Sequence, residues 1–335
     1  MKPCQSLFAV LLTTTLLATA AGAKPGDLSV TGKIVVPDGG WDYLTFDPIH
    51  RRLYVSRTDG ITAVDVDNGR VTAKLVDAQR THTAVPVNGG NELVVTSTTL
   101  GGVVIANAMT GAVRTTIKTG SKPDAAFLEP TSGLVWVMDN AGGGIALIDV
   151  KAGAKVATIE VAGNLESAAN DGKGTVYVNV EDKGEMVVVN AKTRKVTAHY
   201  KLDGCEEPSG LAYAPADKRL ITVCANGSAK VISAMDGKMI ASLPIGPRGD
   251  TAVFDPVRNV FYVPTAGDAK LTLISPKTAK IVAVVTTQAG ARNQALDPKT
   301  DTLYLPAATY APPAQAGGRP VMTPGSVVVL KVTGS

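Results

Sequence analysis

Aromatic residues, histidine and cysteine are scarce in this chain, and no long apolar run follows Leu17. Phe, Trp and Tyr together make up 4% of the 335 residues. A core of stacked rings is therefore excluded, and the abundant Gly, Ala, Val and Thr suit tightly packed sheet faces. Only His50, His82 and His199 are present, which limits histidine-based metal and acid–base chemistry. His50 falls in a surface turn and His199 in an outer strand, both reading as solvated. There is no Cys-x-x-Cys-His haem attachment, no Gly-x-Ser-x-Gly elbow and no phosphate-binding loop. Basic runs interleaved with aromatics are also missing, so the formal charge of +4 does not argue for nucleic acid.

The start of the chain has the form of an export signal. Lys2 precedes the apolar run Leu7 to Leu17, too short to span a bilayer as a mature helix, and Ala21-Gly22-Ala23 forms a small-x-small cleavage site. The expectation is a signal peptide over 1–23 and a periplasmic or secreted mature chain over 24–335, a single domain read as a monomer. Ala18-Thr19-Ala20 is a second candidate site. Cys4 precedes the apolar run without a lipoprotein box and is not read as a lipid anchor. Cys205 and Cys224 remain, and an even pair in an oxidising compartment predicts a disulfide across a hairpin.

What the chain has in quantity is a repeat. Apolar triplets occur at Leu53-Tyr54-Val55, Leu93-Val94-Val95, Val135-Trp136-Val137, Val176-Tyr177-Val178, Leu220-Ile221-Thr222, Phe261-Tyr262-Val263 and Leu303-Tyr304-Leu305. Their middle residues step by 40, 42, 41, 44, 41 and 42. In the first copy, Asp59-Gly60 and Asn68-Gly69 mark tight turns between short apolar runs. Four short antiparallel strands per copy at this period predict an all-β, seven-bladed β-propeller. Pro48, Pro130, Pro215, Pro256 and Pro298 end the inner strands, where a missing N–H does no harm. The last copy supplies only three strands, so Leu28 to Val36 is expected to complete the seventh blade beside the C-terminal strand and leave no open edge. Proline- and glycine-rich residues 306–325 form an insertion between the second and third strands of that blade.

Loops entering the inner strands converge on one mouth of a propeller channel. In register they supply Trp41, Asp42, His82, Asp124, Glu166, Glu207, Arg248, Asp250, Arg292 and Asn293. Carboxylates crowded there repel and raise each other's pKa unless a cation joins them. The ring favours a divalent metal, a cationic ligand, or internal pairing with Lys122, Arg248 and Arg292. Oxygen donors suit Ca²⁺ or Mg²⁺, and His82 admits Zn²⁺. Trp41 and Tyr310 are candidate contact residues.

Tyr54-Val55, Tyr177-Val178 and Tyr262-Val263, with their following Asp/Asn/Ser turns and basic residues, resemble the YVTN-type β-propeller repeat of YncE-like periplasmic proteins. The resemblance spans essentially the whole mature chain. It marks fold more than function, since the wider group includes proteins of unassigned role, a suspected single-stranded DNA binder, and relatives with lactonase or haem chemistry. The leading expectation is a non-catalytic propeller binding a small ligand, metal ion or partner protein at the channel mouth. A metal-dependent lactonase is the enzymatic alternative, and by the resemblance its ion would sit on Glu166, Glu207, Asp250 and Asn293. Single-stranded DNA binding follows from the resemblance alone.

Overall fold

Each apolar triplet lies in the second strand of a four-stranded antiparallel sheet, and seven such sheets make the fold. The computed structural model describes residues 27–312 and 320–334. The signal-peptide reading of residues 1–23 lies outside the described residues, as do residues 313–319 of the insertion. Apart from the short 3-10 turn Glu181–Lys183, the elements are strands, and no helix among the described residues is long and apolar enough to cross a membrane.

Blade 1 runs outward through Trp41–Asp47, Arg52–Arg57, Gly60–Asp65 and Val71–Val76. The second and third strands are buried on both faces, as between Leu53 and Val55, which explains their continuous rather than alternating apolar sequence. The inner strands of blades 2 to 5 are Thr81–Val87, Pro123–Leu128, Leu165–Asn170 and Pro208–Ala214. Those of blades 6 and 7 shorten to Val253–Asp255 and Ala295–Asp297.

Seven apolar clusters fill the gaps between neighbouring blades, as Tyr54 and Ile61 do against Leu93 and Val95. The last cluster joins Tyr304 and Val329 of blade 7 to Leu53 and Val64 of blade 1, so the ring closes. Closure is sealed by the termini. Leu28–Val35 pairs antiparallel with Val328–Gly334, completing blade 7 as expected. Between the second strand Thr302–Ala307 and Val328–Gly334, Tyr310–Ala311 and Val321–Met322 pair as a small hairpin, which the sequence pattern does not reveal.

Cys205 and Cys224 form the expected disulfide. It fastens the entry to blade 5's inner strand onto the end of its second strand, where Pro208 faces Cys224. Its ends lie 19 residues apart, and a loop of that length restrains the unfolded chain. The Cys205→Ser/Cys224→Ser double variant is expected to lose about 2–3 kcal/mol of stability in urea unfolding, with reductant producing a similar loss in the native protein.

Candidate functional site at the channel mouth

Register builds the site. The middle residue of each triplet faces one inner-strand residue: Thr45, Val85, Phe127, Ala169, Ala212, Val253 and Ala295. The residue three positions earlier in each blade is Asp42, His82, Asp124, Glu166, Ser209, Asp250 and Arg292. In blades 1 to 5 the ladder is interrupted here by one extra inner-strand residue, as between Trp41 and Leu44. Such a bulge frees a side chain from the pleat and re-aims it. Adjacent blades then clasp these positions by their backbone. Thr83 Oγ1 donates to the Asp124 carbonyl at 3.2 Å, and Thr251 Oγ1 to that of Arg292 at 2.8 Å.

Two expected members of the ring are displaced. Glu207 is exposed and precedes the inner strand with a left-handed φ of 44°. Ser209 takes the ring position, so the four-residue metal set Glu166, Glu207, Asp250 and Asn293 is not assembled. Arg292 rather than Asn293 holds the seventh position. Asn293 lies one step inward and fully buried, donating from Nδ2 to Asp250 Oδ2 at 2.9 Å, while its Oδ1 has no partner among the described residues. Arg292 Nε lies 3.6 Å from the same carboxylate.

The one large side chain in the next row is Tyr43. Its row-mates are Thr83, Ala125, Ser167, Gly210, Thr251 and Asn293, which leaves room for the phenol to cross from blade 1 to blade 4. There its hydroxyl lies 2.9 Å from Ser167 Oγ and donates to Glu166 Oε2 at 3.3 Å. Gly210 is needed in this row, because a Cβ there would meet the Thr251 backbone at 2.6 Å. The phenol also lines a cavity of about 210 Å³, whose other walls include Thr83, Ala125 and Ser167 together with the larger Phe127 and Met138. Burial, followed by the charges of Glu166, Asp250, Asp124 and Asp42, pushes the Tyr43 pKa well above its ordinary value. The charges of four carboxylates thus act on this one phenol.

On one side of the mouth, His82 Nδ1 is hydrogen-bonded to Asp42 Oδ2 at 2.7 Å and lies 3.6 Å from Asp124 Oδ1. Its Nε2 is 2.7 Å from Thr98 Oγ1. Burial alone would lower the His82 pKa, but the hydrogen bond to Asp42 and the charge of Asp124 outweigh it and the net direction is up. Asp124 is almost fully buried, and desolvation pushes its carboxyl up to about 7 despite the neighbouring imidazole. One ligand atom from each of Asp42, His82 and Asp124 falls within 4.8 Å of the others. A hollow of about 280 Å³ opens over Asp42 and His82 and gives access from solvent.

On the other side, Asn140 Nδ2 donates to Glu166 Oε1 at 2.7 Å and to Glu181 Oε2 at 3.1 Å, while Lys122 Nζ donates to Asn140 Oδ1. Desolvation, then Asp124 and Glu181, pushes Glu166 up to about 9. Desolvation likewise raises Asp250, Arg292 opposing it. Tyr43, Asn140 and Glu181 are members that sequence reasoning missed. The other two histidines stand apart from the mouth: His50 bonds Asp47, and the exposed His199 pairs with Glu185.

No protein-family model matches the chain, and no curated protein is similar to it. Among solved structures it is similar in fold to Kuenenia stuttgartiensis hydrazine synthase, with a TM-score of 0.68 and 19% identity, covering 83% of this chain and 96% of that one. At that identity the likeness bears on fold alone. The chain is thus a seven-bladed β-propeller whose blades bring five carboxylates, a histidine and a tyrosine to one mouth.

Proposed function

We propose that this is an exported, non-catalytic binding propeller whose channel mouth takes a divalent cation on Asp42, His82 and Asp124. The disulfide supports an oxidising compartment, and the YVTN-like repeat supports a YncE-like periplasmic protein. The observation that carries the cation reading is the Asp–His–Asp cluster, two of whose members, Asp42 and His82, line an open hollow. An ion would replace the hydrogen bond between His82 and Asp42 and draw on the same atoms once Nδ1 is deprotonated. One nitrogen and two oxygen donors suit Zn²⁺ or Mn²⁺ better than Ca²⁺, which takes six to eight oxygens. A bound cation would in turn favour ionisation of Glu166 and Asp250, which burial otherwise holds toward the protonated form. With Glu207 displaced, the lactonase-type set has no support in the geometry.

Titration calorimetry with ZnCl₂ and MnCl₂ on chelator-stripped protein is expected to show one bound ion. His82→Ala should weaken it at least 100-fold, and affinity should fall as pH drops from 8 to 6, because bound metal must displace protons. Absence of heat with either ion, together with no metal in the purified protein by mass spectrometry, would remove this reading.

A further inference from the structure

Beside Trp41 the mouth changes character. Two adjoining hollows of about 590 and 310 Å³ share Arg248, Gly290 and Tyr310, and the smaller also reaches Trp41, Arg292 and Met322. We propose that this groove binds a small organic anion with a flat apolar body, of the aromatic carboxylate class.

One guanidinium here is unpaired among the described residues, and the other is only loosely held. Arg248 is exposed, and among the described residues no carboxylate lies within ion-pair distance of it. Its backbone φ of 62° sets it in a turn before the blade 6 inner strand. Arg292 is 40% exposed and reaches Asp250 only at 3.6 Å, without an aligned hydrogen bond. A planar fork of donors matches a carboxylate in two-point fashion.

The walls fit a ring. Trp41, Tyr310 and Met322 pack on the apolar cluster between blades 7 and 1, which anchors them. Gly290 forms the floor between the two aromatic side chains: a Cβ there would lie 2.9 Å from Tyr310 Oη and 3.4 Å from Trp41 Cζ2, and its φ is 86°. Flat aromatic faces offer contact area to a planar ligand and stack with it. The combined space is of the size small-molecule sites use. Trp41 also lines the hollow over Asp42 and His82, so the indole stands between this groove and the cation site, and the two chemistries are separate.

The probe is 2-naphthoate, with 2-naphthamide as its uncharged counterpart, titrated into the full chain with EDTA present. Trp136 is fully buried, so a change in tryptophan emission reports on Trp41. Naphthoate is expected to quench emission with micromolar-to-millimolar affinity and to bind at least 10-fold more tightly than the amide. Arg248→Ala should weaken naphthoate at least 10-fold and erase that preference. Trp41→Phe should abolish the emission response while calorimetry still detects binding. Retention of all this in EDTA separates the groove from the cation site, whichever way that site's own test falls. Equal affinity for acid and amide, an unaffected Arg248→Ala variant, or no naphthoate binding at millimolar concentration would overturn the proposal. So would a salt-sensitive complex with oligothymidylate where naphthoate fails, which would assign the groove to single-stranded nucleic acid.

Discussion

Glu166→Gln is expected to stabilise the metal-free protein at neutral pH, although it removes an ionisable group at the heart of the mouth. In the folded chain Glu166 keeps its proton up to about pH 9, mainly through desolvation and then through Asp124 and Glu181. Unfolded, it releases that proton near 4.5. Folding therefore takes up a proton between those two values, and stability falls as pH rises through the window. Below pH 4.5 the penalty is absent, and above pH 9 it is constant. At about 1.4 kcal/mol per pH unit, glutamine should gain up to about 3.5 kcal/mol at pH 7, or roughly 5 °C in melting temperature, and nearly nothing at pH 4.5. Glutamine can still accept from Asn140 and can turn its amide toward Tyr43 and Ser167, so the neighbouring hydrogen bonds survive. Asp124 and Asp250 are raised as well, so the variant should keep a shallower decline with pH rather than none. Thermal melts from pH 4.5 to 9 in chelator test this. A variant less stable than the native protein at pH 7, or an unchanged pH slope, would mean that Glu166 is ionised and paired in the folded chain.

The ring and its blades were legible because both follow from one spacing. Asp42 lies twelve residues before Tyr54, and the same step leads from Val94 to His82, from Trp136 to Asp124 and from Tyr262 to Asp250, while blade 4 departs by one residue, Glu166 lying eleven before Tyr177. Applied to Ile221 and Tyr304, it gives Ser209 and Arg292, the residues that occupy the ring. Glu207 lies fourteen residues before Ile221, well off that count, whereas Asn293, eleven before Tyr304, misses it by only one residue. The Glu207 loop is lengthened by the cystine-held turn before Pro208, which shifts its carboxylate out of register. Other features have no local signal. Tyr43 meets Ser167 across 124 positions of sequence, a contact that exists only because the wheel closes and the intervening row-mates are small. Asn140 and Glu181 sit just beyond second strands, where turn residues are commonly polar for solvation alone. The hairpin in the blade 7 insertion joins two-residue strands, below the length at which alternation can be read.

Closure itself can be tested at one buried charge, where the largest loss of stability is expected. The Arg258 side chain is 3% exposed and lies between blade 6 and blade 7. It forms an ion pair with Asp301 in the first turn of blade 7 and lies 3.9 Å from Asp255, which ends the blade 6 inner strand. Asp255 is itself fully buried; it accepts from the Tyr262 hydroxyl at 2.7 Å and from the Val257 amide at 2.7 Å. Gly334 of the C-terminal strand packs so close to the guanidinium that a Cβ there would lie 2.4 Å from Nη2. One cation thus holds a carboxylate from each of two blades against the strand that seals the ring. Removing one partner of a buried pair leaves the other charge without compensation, which costs about 3–5 kcal/mol, whereas an exposed pair is worth less than about 1 kcal/mol. Arg258→Ala should therefore unfold at markedly lower urea. Arg258→Ala combined with Asp301→Asn should recover part of the loss, because the stranded charge is neutralised. Arg114→Ala, which breaks a more exposed pair with Glu92 in blade 2 and a bond to the Val150 carbonyl, serves as the control and should cost clearly less. Equal effects from Arg258→Ala and Arg114→Ala would show that the seam depends on strand pairing and apolar packing alone, with the buried ion pair contributing nothing to closure.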